Sequence, residues 1–150
     1  MNPLSVKSQL VFQAPVFDRI KDSDYEPAIE EGMRKQLEEV RAIVDNKEPA
    51  SFENTIVAME KSGLDLTRAV KIFFAVTGSA TNDTLQAIKA RIAPKLTAHG
   101  DAITMNDALF QRIKSVYDQR SAMNMTAVDR RLLERYYTRF VRAGALLTAE

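Results

Sequence analysis

FENTIVAMEKSGLDLTRAVKIFFAVTGSATND, residues 52–83, is the stretch that decides the fold. Ser51 stands before it as a helix N-cap residue, and Gly63 is a natural residue to follow a helix C-terminus, so the pattern predicts a short second helix. A longer third helix follows, and its apolar positions repeat at helical spacing over Leu66, Ala69, Val70, Phe73, Val76, Thr77 and Ala80. We interpret this stripe as core and expect the third helix to be the central packing element.

The composition favours helices. The chain has 150 residues, of which 45% are hydrophobic and 27% charged, as expected for a folded globular protein of one domain. It has only 5 Gly and 5 Pro, too few for a turn-rich all-β protein. The predicted fold class is all-α, with about six helices in an antiparallel helical array and an irregular N-terminal arm. We expect residues 1–150 to form a single helical domain.

The remaining helices are predicted outward from that stretch. Pro3 and Pro15 make residues 1–20 an irregular arm, and its apolar residues indicate that it lies across the helices. The first helix should run from about Asp22 to about Asn46, the fourth should carry Leu85 to Ile103, and the fifth should begin at Asn106. Pro94 should kink or split the fourth helix.

The sixth helix should begin near Thr126, with a core face formed by Val128, Leu132, Tyr136, Phe140, Ala143 and Leu147. Gly144 is followed by more helix-forming residues, so it reads as a poor stop. The apolar pattern still runs at Glu150, which indicates that the chain is a piece of a longer protein.

The opposite face of this helix carries a basic stripe formed by Arg131, Arg135, Arg139 and Arg142. Such a stripe can bind nucleic acid or an acidic partner. The alternative is a solvated or salt-bridging face, which we favour because the pI is near 8.0 and no nucleic-acid motif accompanies the stripe.

The residues offer no recognisable catalytic or metal-binding set. Without cysteine there is no thiolate ligand or thiol nucleophile, and His99 is the one histidine. Adjacent carboxylates such as Glu30 and Glu31 point about 100° apart around a helix, so they do not converge. We therefore predict no catalytic, cofactor-binding or metal-ligating residue here. A signal peptide and a membrane-spanning stretch are not predicted either, and a cytoplasmic location is expected.

A family resemblance adds a function to this reading. It rests on residues spread along the chain: Asn2-Pro3, Ala14-Pro15, Phe17-Asp18, Tyr25, Pro27-Ala28, Phe52 to Ile56, Glu60, Ser62-Gly63, the run from Phe73 to Asp83, Arg139-Phe140 and Ala143-Gly144. In this order and spacing, the chain resembles the N-terminal region of the zinc oligopeptidases of the thimet oligopeptidase and oligopeptidase A family. The run from Phe73 to Asp83 is most similar to the peptidyl-dipeptidase branch.

The resemblance implies a long, nearly all-helical parent with a deep channel, whose zinc is held by an H-E-x-x-H helix and a further Glu. This chain has no such motif, so the resemblance implies the non-catalytic part that helps to wall the channel. The parent would remove C-terminal dipeptides from short peptides. The expected partners are the rest of the parent, short peptides and a second copy of the fragment, with no nucleic acid and no membrane.

Two other classes compete with this reading. A free-standing helical interaction module would bind an acidic partner through the stripe from Arg131 to Arg142. A self-contained enzyme is disfavoured, because the chain shows no convergent set of titratable groups.

Overall fold

A computed structural model describes residues 1–147 and confirms the all-α fold class, with no strand among those residues. Its helices are α1 (Asp22–Asp45), α2 (Ala58–Lys61), α3 (Leu64–Ser79), α4 (Asp83–Thr104), α5 (Asp107–Asp118) and α6 (Ala127–Arg142). A π-helical turn, Phe52–Val57, leads directly into α2. The arm is irregular, as predicted, and contains three short 3-10 turns, Pro3–Ser5, Val11–Gln13 and Phe17–Arg19.

The chain forms two compact units. Unit one contains Met1–Gln36 and Gly63–Ala98, and unit two contains Leu37–Ser62 and the described residues from His99 onward. That residues 1–150 behave as one domain stays a prediction.

Unit one is built around α3, as the apolar stripe predicted. Leu66, Ala69, Phe73 and Thr77 are buried on one face of α3, and the Phe73 ring lies 5.3 Å from the ring of Tyr25 in α1. Gly32 of α1 makes this packing possible, because a Cβ there would lie 2.7 Å from the Leu66 Cα. The surrounding core consists of Leu4, Ala28, Ile29, Leu85, Ile88 and Ile92.

Unit two has its own core, centred on α5 and α6. The buried residues are Val40, Ile43, Ile56, Met59, Ile103, Leu109, Phe110, Ile113, Val116, Leu133 and Phe140. Ser51 caps the π-helical turn in a capping box with Asn54, as expected for an N-cap residue. Arg112 of α5 stabilises the loop that precedes the π-helical turn. It donates to the Asn46 carbonyl at 2.9 Å and to Asn54 Oδ1 at 3.1 Å.

The predicted core face of α6 is correct for Leu132, Tyr136 and Phe140, which are buried or packed against the core, and wrong at Val128 and Leu147. Val128 and Leu147 are 76% and 83% exposed, whereas Leu133 and Phe140 are buried. Tyr137 stacks on Tyr117 with ring centroids 3.8 Å apart, so the inward face follows Leu133, Tyr137 and Phe140. Val128 belongs to the first turn of the helix, and the later members of its apolar series, Leu132, Tyr136 and Phe140, do contact the core.

The predicted end of α6 is also wrong. The helix ends at Arg142, and Gly144 adopts a left-handed φ of 101°. The Gly144 amide donates to the Val141 carbonyl at 3.0 Å and the Ala145 amide to Phe140 at 3.1 Å, which is the Schellman arrangement. Gly144 is therefore a real helix stop. The predicted continuation to Glu150 fails up to residue 147, and its last three residues lie outside the described chain.

Pro94 does not split α4, which is continuous from Asp83 to Thr104. Proline has no amide hydrogen, so Pro94 leaves the Ala90 carbonyl without its usual helical donor. Both residues are exposed, so water can hydrate that carbonyl. Among the described residues, we find no helix that is long and apolar enough to cross a membrane.

The contact at Gly32 gives a direct test of the core of unit one. Gly32→Ala should destabilise the chain by about 1–3 kcal/mol, because the new methyl group meets the backbone of Leu66. Gly78→Ala is the matched control: it is also helical, and its new Cβ would meet nothing within 4 Å. Urea unfolding should show the control unchanged or stabilised by up to about 1 kcal/mol. Equal effects of the two substitutions would contradict the close approach.

Candidate functional site

The structure keeps apart the titratable residues that the sequence singled out. Glu30 pairs with Lys95, whereas Glu31 pairs with Arg34 at 2.7 Å, so the two carboxylates do not converge, as predicted. His99 is 9% exposed, and its burial lowers its pKa. Among the described residues, no group of three or more His, Cys, Asp or Glu could hold a metal ion.

The arginine face of α6 is the most site-like feature of unit two. Its four members, Arg131, Arg135, Arg139 and Arg142, are exposed and line a surface depression of about 590 Å³. The other lining residues are Glu60, Leu132, Glu134, Tyr136 and Thr138. Residues four apart on a helix lie about 6 Å apart along its axis, so the four guanidinium groups form a row along α6, which we call the arginine ladder.

This ladder is only slightly neutralised by neighbouring carboxylates. Arg131 lies 3.6 Å from Glu134, but their side chains are 75% and 41% exposed, so the pair contributes at most about 1 kcal/mol. Within residues 1–147, Arg135, Arg139 and Arg142 form no salt bridge within 4.0 Å. The salt-bridging interpretation therefore applies to Arg131, and the other three guanidinium groups remain available to anionic groups in solution.

Tyr136 and Glu60 close one side of the depression. The Tyr136 hydroxyl donates to Glu60 Oε1 at 2.7 Å, which links α6 to α2. Burial, and then this hydrogen bond, raise the pKa of Tyr136 far above its ordinary value. The nearby Arg135 and Arg139 act in the opposite direction but do not offset these effects. Tyr136 thus stays protonated and keeps donating to Glu60 at neutral pH.

The sequence did not reveal this pair. The sequence predicts Tyr136 on the core face of α6 and offers Glu60 only as one of the residues that carry the family resemblance. The two residues are 76 positions apart, and no local periodicity connects them. Only the tertiary structure, in which α6 packs against the π-helical turn that leads into α2, brings them together.

The bond between Tyr136 and Glu60 predicts a pH-dependent contribution to stability. Tyr136→Phe should destabilise the chain by about 0.5–1.5 kcal/mol at pH 7, because it removes one hydrogen bond that is open to solvent. The raised pKa means that this contribution is complete below pH 10, the ordinary tyrosine value, and falls as pH rises above it. Denaturant unfolding at pH 7, 9 and 10.5 should show the difference from wild type shrinking at the highest pH.

Tyr137→Phe is the control for this experiment, since the Tyr137 hydroxyl makes no hydrogen bond within residues 1–147. It should cost less than about 0.5 kcal/mol at each pH. A Tyr136→Phe effect that is equally small, or that grows above pH 10, would contradict the assigned bond.

These features define a class: an all-α chain with an exposed basic helix face and, in its described part, no group of three or more His, Cys, Asp or Glu that could hold a metal ion. The comparison with known proteins then gives a specific relative. The chain is 42% identical over 149 residues to the dipeptidyl carboxypeptidase of Salmonella typhimurium and 40% identical over 147 residues to that of Escherichia coli. The matches cover 99% and 98% of this chain. No family model matches the chain.

The match is partial on the side of the relatives. This chain spans 22% of the length of each dipeptidyl carboxypeptidase, and the match lies in their first part. The resemblance to the N-terminal region of a peptidyl-dipeptidase is therefore confirmed. The activity of the whole relatives is a separate matter, because more than three quarters of their length has no counterpart here.

Proposed function

We propose that this chain is the non-catalytic N-terminal helical part of a zinc-dependent dipeptidyl carboxypeptidase of the cytoplasm. The observation that carries the proposal is identity of 40–42% over nearly the whole chain with two dipeptidyl carboxypeptidases. The parent enzyme removes C-terminal dipeptides from short peptides. In it, this chain helps to wall the substrate channel, which excludes folded proteins.

The residues of this chain do not fit the zinc ion that the resemblance implies. Catalytic zinc needs three protein ligands and an open position, and the chain has one histidine and no cysteine. His99 is buried, and the described residues contain no ligand cluster around it. We therefore assign zinc and the activation of water to the part of the parent that lies beyond the matched segment, and no catalytic step to this chain.

What the chain contributes is the packed helical surface of each unit. Each unit has a close-packed core, and α5 and α6 start at capped ends, Asn106 and Thr126. Such helices keep their shape when one face is turned to solvent, as the wall of a channel requires. The proposed partners are the remainder of the parent and short peptides in its channel, and neither nucleic acid nor membrane is among them.

A chimeric enzyme tests this function directly. We expect that the matched segment of the E. coli dipeptidyl carboxypeptidase can be replaced by this chain with retention of dipeptide release. At 40% identity the buried positions are expected to be compatible in volume. The assay follows the dipeptide released from an N-blocked tetrapeptide by mass spectrometry, with and without a chelator.

Two controls define the outcome. The isolated chain should release no dipeptide and should bind zinc no more tightly than about micromolar, since it lacks a ligand cluster in its described part. An E. coli enzyme whose segment is replaced by an unrelated helical bundle should be inactive. A folded chimera that is equally inactive, or an isolated chain that releases dipeptides, would overturn the proposal.

The arginine face supports a second candidate, a free-standing helical module that binds an acidic partner. Arg135, Arg139 and Arg142 carry charges that no carboxylate within residues 1–147 neutralises by a salt bridge. A glutamate-rich helical peptide with carboxylates at i, i+4 and i+7 matches the spacing of these three arginines.

Charge reversal tests this candidate. Arg135→Glu with Arg139→Glu should weaken binding of such a fluorescently labelled peptide by at least tenfold at low salt, as measured by anisotropy. Arg41→Glu, an exposed substitution in α1, is the control and should leave binding nearly unchanged. A peptide that binds all three proteins equally, or none, would remove the candidate.

A further inference from the structure

The N-terminal arm exposes apolar side chains that the sequence predicted to be packed. Val11 is 76% exposed and Phe12 is 99% exposed, and Leu10 and Phe17 are 51% and 56% exposed. We call Leu10, Val11, Phe12 and Phe17 the arm knob. Leu10, Val11 and Phe12 are consecutive in the chain, and exposed apolar groups on the surface of a protein commonly mark an interaction site.

The backbone of the knob is unfavourable for the residues that it contains. Phe12 has φ 56° and ψ 19°, and Gln13 has φ 55°, so two consecutive residues other than glycine occupy the left-handed region. This conformation is costly for a residue with a Cβ and is rare for an aromatic one. The Gln13 amide donates to the Leu10 carbonyl at 2.9 Å, which holds the turn closed. The turn thus presents Phe12 to solvent at a cost that no burial of its side chain offsets.

The base of the knob is firmly attached to unit one. Leu4 is 3% exposed, and its carbonyl accepts a hydrogen bond from Arg68 of α3 at 3.1 Å. Asn2 donates through Nδ2 to the Asp24 carbonyl of α1 at 2.7 Å. Beside the knob is a depression of about 320 Å³ with a largely apolar lining that includes Pro3, Val6, Pro15, Val16, Ile20, Leu64 and Ile72. The start of the arm is therefore anchored to α1 and α3, and the exposed knob follows it in the chain.

We propose that the arm knob docks unit one onto an apolar surface of the part of the dipeptidyl carboxypeptidase that this chain does not include. The proposal rests on the proposed function. The relatives supply the occupant, because each has more than three quarters of its length outside the matched segment. Within one polypeptide, that surface is present at an effective concentration of about millimolar or more, so a small apolar contact suffices.

A second copy of the chain is the competing occupant. Other exposed apolar residues, Leu64 and Phe74 on α3 and Val128 on α6, are 63%, 38% and 76% exposed and offer apolar surface for such a pairing. None of these residues has the strained backbone of the knob. The knob is thus the feature that most needs a partner, and an intramolecular partner needs no second molecule.

Phe12→Asn separates the backbone strain at this position from the contact that the aromatic ring would make. Asparagine tolerates the left-handed region but removes the apolar ring. In the isolated chain, the substitution should leave the Tm unchanged or raise it, because the strain is relieved and no contact is lost. In the E. coli chimera described above, it should lower the Tm by at least about 3 °C, because a docked aromatic ring is lost. Val128→Asn, which alters a residue of similar exposure on α6, should change neither Tm by more than about 1 °C.

Limited chymotrypsin digestion gives a readout that does not depend on activity. Cleavage after Phe12 and Phe17 should be at least tenfold slower in the wild-type chimera than in the isolated chain, and Phe12→Asn should restore rapid cleavage after Phe17.

Loss of dipeptide release by a folded chimera that still protects the arm would refute the proposed function and leave docking supported. An active chimera with an unprotected arm and no effect of Phe12→Asn would refute docking alone. Sedimentation of the isolated chain as a dimer that Phe12→Asn dissociates would assign the knob to a second copy and overturn the proposal.

Discussion

The close approach of α1 and α3 at Gly32 is the constraint on which unit one depends. Gly32 has no side chain, so the backbone of Leu66 can lie close to it. A Cβ at position 32 would be only 2.7 Å from the Leu66 Cα. This contact allows the Phe73 ring to reach Tyr25 and bury completely. Gly63 supports the same packing, since its φ of 68° turns the chain sharply into α3. The arm is in turn anchored on these two helices, so its exposed knob depends indirectly on one glycine.

Local chemistry explains why much of the fold could be predicted. Ser51, Asn106 and Thr126 are caps whose side chains accept hydrogen bonds from amides three residues later, and such signals are contained within four residues. The stripe on α3 has one continuous face. On α6 two overlapping apolar series both contact the core, so the depth to which each residue is buried depends on what α5 presents. The stop at Gly144 was missed because it depends on the two hydrogen bonds of the Schellman arrangement, which composition does not encode.

The candidate sites were predictable to different extents. The arginine ladder follows from i, i+4 spacing on a helix, and the structure places it on an exposed face with one salt bridge in the described chain. The bond between Tyr136 and Glu60 joins residues 76 positions apart, so it required the tertiary structure. The arm was expected to be packed because it is apolar. The start of the arm is packed, since Leu4 is buried, whereas Phe12 is exposed in a left-handed turn. The hydrophobicity of the two residues does not reveal this difference in backbone conformation.

The central claim is that this helical chain serves a catalytic part located elsewhere in the same polypeptide. The most direct measurement is to sequence the native reading frame beyond codon 150. Our account predicts that the frame continues for several hundred codons and encodes H-E-x-x-H, with a further Glu downstream. A stop codon at that point would contradict the account and favour a free-standing module that uses the arginine face. A long continuation without the zinc motif would keep the helical fold and contradict the peptidase.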